Sequence, residues 1–247
     1  MATPPIKETT PSGLTAKADR IMLLLGQTWP NAHCELEYQT IFQLLVATIL
    51  SAQTTDLKVN RVTRTLFERY PTAETLTLCP LPELEEILRP LGLFRAKAKN
   101  LLALCHILIT EHGGHVPSER PVLTSLPGVG RKTANVVLME GFRVPALPVD
   151  THVLRLANRL GLSSNRNPIQ VEKDLTSLIP ETEWREAHHR LIWHGRRVCR
   201  ARKPACGLCR LISLCAFGAI SEPAPVSVSQ TGSPSEPSSP GKSFPQK

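Results

Sequence analysis

The apolar positions of the chain recur with the period of an α-helix along most of its length. Ala18, Ile21, Met22 and Leu25 fall at i, i+3, i+4 and i+7, which places them on one helical face. Val59, Val62 and Leu66 repeat the spacing, as do Leu101, Leu102, Cys105, Leu108 and Ile109, and later Val171, Leu175 and Leu178. Helix-stopping residues punctuate these runs: Pro30, Pro71, Pro80, Pro90, Gly113-Gly114, Pro127-Gly128, Pro145 and Pro180. Between residues 14 and 220 no segment alternates with period two for long enough to predict a strand. Val226 to Ser229 alternates, but within Pro/Ser-rich sequence. The pattern therefore predicts an all-α fold of about nine to eleven short helices, with no internal repeat.

The longest apolar stretch, Ile41 to Leu50, is broken by Gln43 and Thr48. It is half the roughly 20 residues that a membrane span needs, so a core helix is expected there. Ser221 to Lys247 holds eight Ser and six Pro in 27 residues, too little apolar surface to order itself. Residues 1–14 and 219–247 are accordingly expected to be disordered tails. The N-terminus has no basic segment leading into an apolar one, so no secretory signal is expected.

Charge changes the picture more than composition does. With 29 Lys and Arg against 21 Asp and Glu, the net charge is +8, and 41% of the 247 residues are hydrophobic. A globular chain with that surplus favours a polyanionic partner, nucleic acid before an acidic membrane surface.

Three constellations carry candidate chemistry. The first is Leu126-Pro-Gly-Val-Gly-Arg-Lys-Thr133, a tight turn between two helical patterns. Gly128 and Gly130 permit a close backbone approach. Their N–H groups, with those of the next helix's first turn, form an anion site that a DNA phosphate fits. The basic Arg131 and Lys132 follow at once. An ordinary helical connection is the plainer alternative.

The second pairs Lys132 with Asp150. Lys132 falls in the first turn of a helix, where the dipole and Arg131 both favour the free amine over the ammonium, as a nucleophile requires. Asp150, in Pro148-Val-Asp-Thr-His152, reads as an N-cap. A helix from Arg131 to about Gly141 rises roughly 15 Å. The residues after it reach up to about 30 Å if extended, so the two helix starts can lie side by side and face one cleft.

The third is Cys199-x6-Cys206-x2-Cys209-x5-Cys215, four of the seven cysteines within 17 residues. Zn²⁺ held by four thiolates and a [4Fe–4S] cube both suit four crowded thiols, although the spacing is not the pair of C-x2-C knuckles usual for zinc. From Arg185 to Arg210 eight Lys or Arg surround the cluster against one acid, Glu186. Metal binding would fold a basic loop able to dock on phosphates.

Together these features resemble the endonuclease III family of helix-hairpin-helix DNA glycosylases. The residues that carry the resemblance are Ile49-Leu-Ser-Ala-Gln-Thr-Thr-Asp56, Leu126 to Val137, Val149-Asp-Thr-His152, Ala201-Arg-Lys-Pro204 and the four cysteines, in about residues 15–217. The resemblance implies base excision of oxidised pyrimidines, such as thymine glycol, from damaged double-stranded DNA. Lys132 attacks C1′ and forms a Schiff base, Asp150 assists departure of the base, and β-elimination cuts the strand 3′ to the abasic site. Lys132 and the lack of an extra C-terminal domain favour a bifunctional glycosylase and lyase over the monofunctional adenine glycosylases. Two rivals stand beside it: a non-catalytic helix-hairpin-helix DNA-binding module, and an iron–sulfur redox protein.

By the same resemblance Gln53 fills the space left by the extruded base and Leu93 wedges the opposite strand, a core leucine being the plainer reading. His152 lines the lesion pocket. Gly128, Gly130 and Lys203, with Arg131 beside them, meet backbone phosphate. Cys199, Cys206, Cys209 and Cys215 hold a [4Fe–4S] cluster. Two all-α lobes are implied, a helical barrel over 35–145 and a cluster domain of 15–34 with 146–218, with the site between them. The resemblance also implies a monomer in the cytoplasm, at the nucleoid if the chain is bacterial. It gives no role for the tails.

Overall fold

The computed structural model describes residues 11–218. The rest of both expected tails, and the Val226–Ser229 alternation, lie outside the described residues. Within them the chain is all-α. Eleven α-helices and three single-turn 3₁₀ helices are present among the described residues, with no strand. The first helix, α1 (Pro11–Thr28), begins inside the segment read from composition as a tail, so residues 11–14 are helical.

The next seven helices are α2 (Ile41–Leu50), α3 (Asp56–Arg69), α4 (Ala73–Thr77), α5 (Leu81–Leu88), α6 (Phe94–His112), α7 (Arg120–Ser125) and α8 (Arg131–Gly141). They enclose one hydrophobic core, to which Leu45, Leu50, Val59, Leu66, Leu101, Leu108 and Val137 belong. Its central element is α2, buried from Phe42 to Leu50 and packed against α3, α6 and α8. A helix this apolar all round is stable only when surrounded. Each fully buried leucine, such as Leu44 or Leu45, stabilises the fold by about 1.5–3 kcal/mol. The Thr40 hydroxyl starts the helix by accepting from the Gln43 amide at 3.2 Å.

A second core gathers α1 with α9 (Thr151–Leu160), α10 (Pro168–Leu178) and α11 (Trp184–Arg197). The apolar face of α1 read from the sequence lies here, with Ala18, Ile21, Met22 and Leu25 all buried. Cys199, Cys209 and Cys215 pack on the outside of this core.

Polar pairs, one set buried at Glu140 and the others half-buried or exposed, connect the two cores. Glu140 near the end of α8 accepts two hydrogen bonds from Arg185 on α11, at 3.0 and 2.9 Å, and pairs with His189 at 2.6 Å. Arg196, at the end of α11, holds Asp56 at 2.7 Å and also pairs with Glu35, which Arg197 holds at 2.7 Å. Arg131 bonds Glu172 of α10 through two nitrogens, at 2.9 and 2.8 Å.

Candidate active site

Five helix ends surround one cleft. The C-terminal end of α2 and the N-terminal ends of α3 and α8 come from the first core. The N-terminal end of α9 and the C-terminal end of α11 come from the second. The cleft has a volume of about 590 Å³ and is lined by Ser51, Gln53, Asp56, Lys132, Asp150, His152 and Arg196 among others. An inner recess of about 60 Å³ continues from it, bounded by Lys132, Asp150, Cys34, His188 and Arg196.

Lys132 and Asp150 thus line the same cleft, as the reach of the chain between them allows. Lys132 is the second residue of α8, exposed, with no ion-pair partner among the described residues. Asp150 caps α9. Its Oδ1 accepts the amides of His152 and Val153, both at 2.8 Å, and Oδ2 takes no hydrogen bond among the described residues. One carboxylate oxygen therefore builds the helix and the other is available to the cleft.

His152 is half-buried on the wall. Arg155 donates to its Nδ1 at 3.1 Å, so the hydrogen sits on Nε2. Burial, together with the nearby Arg155 and Arg196 charges, pushes its pKa down, so the ring is neutral near pH 7. Arg155 itself is anchored on the carbonyls of Gly195 at 2.9 Å and Cys199 at 3.1 Å. Gly195 admits this packing, because a Cβ there would stand 3.0 Å from the His152 Cβ.

The hairpin between α7 and α8 matches the expected turn. Gly128 has φ +79°, and Gly130 is the N-cap of α8 with extended ψ. The amides of Gly128 and Gly130 find no protein acceptor among the described residues. Arg131 differs from expectation. Two of its donors are committed to Glu172, so it braces the hairpin against α10 rather than standing free for phosphate.

Gln53 and Leu93 share an uncommon backbone. Both are exposed and both are left-handed, at φ 56° and 57°. Leu93 is 61% exposed and is the N-cap of α6, which removes the core-leucine reading. Lys203 is exposed, with φ 51°. The basic run around it is divided. Arg185, Arg196 and Arg197 are paired with carboxylates, whereas Arg200, Arg202, Lys203 and Arg210 are exposed without ion pairs among the described residues.

The four cysteines are half-buried around the two last 3₁₀ turns. Hydrogen-bond donors aim at three of the sulfurs, and Cys215 Sγ also faces the Arg159 carbonyl at 3.3 Å. Arg159 reaches Cys199 Sγ at 3.3 Å and the Gly218 amide reaches Cys215 Sγ at 3.3 Å. Trp29 Nε1, a donor only, fills His194 Nδ1 at 3.3 Å, so His194 Nε2 carries the hydrogen that faces Cys209 Sγ at 3.4 Å. Such donors suit sulfurs that bear negative charge, as ligating thiolates do. Among the described residues no three His, Cys, Asp or Glu side chains converge on a single-ion site.

Sequence reasoning missed several residues here. Lys97, Arg155, His188 and Arg196 all support the cleft or its surroundings and carry no local motif. The only hint for Lys97 is its place on the apolar stripe of Leu101, Cys105 and Leu108, where a lysine is out of pattern.

A helical fold with a glycine hairpin opening on a Lys–Asp cleft defines a class, the helix-hairpin-helix base-excision proteins. Residues 46–181 match the HhH-GPD superfamily base excision DNA repair protein family. Endonuclease III of Synechocystis sp. is 50% identical over 200 residues, 81% of this chain and 91% of that protein. The Bacillus subtilis endonuclease III is 48% identical over 195 residues, covering 78% and 89%. A solved trapped endonuclease III–DNA covalent intermediate superposes with a TM-score of 0.81 at 45% identity, over 83% of this chain and 97% of that one. A thermostable thymine-DNA glycosylase does so with a TM-score of 0.76 at 25% identity, over 83% and 98%. The chain belongs to the endonuclease III family.

Proposed function

We propose that this protein removes oxidised pyrimidines from double-stranded DNA and then cleaves the strand at the abasic site it has made. The observation that carries the reading is one cleft holding an unpaired Lys132 at a helix start and a carboxylate, Asp150, with a free oxygen. The damaged base must leave the stack to reach it, at a cost of a few kcal/mol. The Lys132 amine attacks C1′, and the C1′–N bond breaks as the electron pair leaves with the base. Asp150 accepts the proton that the nitrogen sheds and stabilises the cationic sugar. Ring opening gives the Schiff base between Lys132 and C1′. Loss of a C2′ proton then expels the 3′ phosphate by β-elimination.

Gly128 and Gly130 offer amides to a backbone phosphate, the exposed Lys203 adds a cation for another, and Gln53 and Leu93 enter the duplex. Cys199, Cys206, Cys209 and Cys215 would hold a [4Fe–4S] cluster, in which each thiolate ligates its own iron and the four need not meet at one point. When bound, the cluster supplies a structural crosslink that orders the basic loop around Lys203. The two cores are read as the two lobes, 35–145 and 15–34 with 146–218, of a monomer working on DNA in the cytoplasm. No described helix is long and apolar enough to cross a membrane.

Borohydride reduction during reaction with a thymine glycol duplex tests the reading. Wild type is expected to yield a covalent protein–DNA band, and Lys132→Ala none. A wild type that binds the duplex tightly yet gives no band would favour the monofunctional or non-catalytic alternative.

A further inference from the structure

Lys97 lines neither the cleft nor its inner recess. It lies in the first turn of α6 and is only 5% exposed, with no carboxylate partner among the described residues. Its ammonium has three donors, and three acceptors receive them: Leu50 O at 3.0 Å, Ala52 O at 2.9 Å and Thr54 Oγ1 at 3.3 Å. Leu50 O is one of the orphan carbonyls at the C-terminus of α2, where the helix dipole favours a cation. Ala52 and Thr54 flank Gln53. On the other side, the Lys97 backbone amide donates to Leu93 O at 3.0 Å. One residue is therefore bonded to both neighbours of one exposed left-handed residue and to the carbonyl of the other.

We propose that Lys97 is a positioning residue for base extrusion, fixing the Gln53 loop relative to the Leu93 tip so that both side chains enter the duplex as a preset pair. The proposal rests on the assignment of Gln53 and Leu93 to that task. Left-handed backbone costs a non-glycine residue about 1–2 kcal/mol, and it persists only where the surroundings over-determine it. Bonds to Ala52 and Thr54 do this for Gln53, and the first turn of α6 does it for Leu93. A loop left free would have to be ordered on the DNA, which opposes insertion. Burial lowers the Lys97 pKa, the expected response of a cation with no counter-charge, and the three oxygens are what keep it charged.

The test compares two substrates. One is a duplex with thymine glycol opposite 2-aminopurine, which must be opened. The other is a single strand with an aldehydic abasic site, which needs no extrusion. For Lys97→Met, base release from the duplex is expected to fall at least about tenfold, with a smaller 2-aminopurine signal on binding, while trapping on the single strand stays within about twofold. An equal fall on both substrates, or on neither, overturns the proposal. Gln53→Ala and Leu93→Ala are measured alongside. If they leave duplex release intact, the wedge assignment itself fails and the proposal falls with it. If they impair release and Lys97→Met does not, only the proposal fails. Should the Met variant not fold, Thr54→Val decides: the same split between substrates supports the proposal, and an unchanged duplex rate overturns it.

Discussion

Gly128 and Gly130 stand two residues apart in the hairpin but answer to different constraints. At Gly128, φ is +79° and a Cβ would lie 3.3 Å from Asn100 Cβ and 3.4 Å from Ile49 Cγ2. The fold itself requires glycine there. At Gly130, φ is an ordinary −90° and a Cβ would meet nothing within 4 Å. What glycine preserves at 130 is open space above an unused amide, which a phosphate can occupy. Gly128→Ala is therefore expected to destabilise the protein by about 1–3 kcal/mol, seen as a lower thermal midpoint. Gly130→Ala should cost less, about 0.5–1 kcal/mol because alanine caps α8 more poorly than glycine, yet weaken duplex binding, read by fluorescence anisotropy at fixed salt. Equal thermal losses in the two variants would remove the phosphate reading of the turn. The contrast also marks what one sequence reveals. Both glycines were visible as a turn, and Lys132 as the cation behind it, because spacing along the chain encodes them. Lys97 was not, because its partners lie more than forty residues away, and only the packing of α6 on α2 brings them together.

At the scale of an element, the start of α9 carries two duties on one side chain. Asp150 caps the helix through Oδ1 and faces the cleft. The two are separable, because asparagine caps about as well as aspartate but carries no charge. Asp150→Asn is expected to keep the thermal midpoint of the wild type and lose most base release. Asp150→Ala should lose the activity and also about 1 kcal/mol of stability. If the Asn variant excised at the wild-type rate, Asp150 would be a cap and nothing more. Gly195 makes a related point about helix pairing. A Cβ at 195 must displace His152 or Arg155, so Gly195→Ala is expected to lower duplex excision more than stability, as compared by steady-state kinetics and thermal melts. The helices themselves were legible from period and stop residues, since α1 and α3 bury the whole stripe predicted for them, and α6 and α10 bury theirs except for the half-buried Leu102, Ile109 and Leu178. Their pairing was not. Nothing in the order of residues 185–210 tells that Arg185 and Arg196 turn inward to carboxylates while Arg200 and Lys203 face solvent.

Across the whole molecule, the cleft stays in one shape because charged groups fasten one core to the other around it. Arg196 joins α11 to Asp56 of α3 and to Glu35 in the connecting strand of chain, and Glu140 of α8 joins Arg185 and His189 of α11. Such fastenings are sensitive to acid, and the sign follows from their pKa directions. Burial alone would raise the Glu140 pKa, but hydrogen bonds from His189 and Arg185 outweigh it and bring it down to about 2. The pKa of Glu35 is also lowered, its burial outweighed by Arg197 and Arg196. In the unfolded chain a glutamate titrates near about 4.3, so between that pH and about 2 the unfolded state binds more protons than the native one. The stability that Glu140 contributes is complete above its unfolded pKa and drains away as the pH falls toward about 2. The thermal midpoint of the wild type is thus expected to drop steeply between pH 5 and pH 2.5. Glu140→Gln should melt lower than wild type at pH 5, because it leaves Arg185 only the longer, half-exposed pair with Glu186 at 3.8 Å. Its midpoint should then change less over the same interval, so that the two curves converge in acid. Parallel curves would mean that the acid response is carried by other carboxylates and that Glu140 is a hydrogen-bond acceptor whose charge is immaterial. Convergence would make the charge on one buried glutamate part of what holds the Lys132 and Asp150 faces at their working separation.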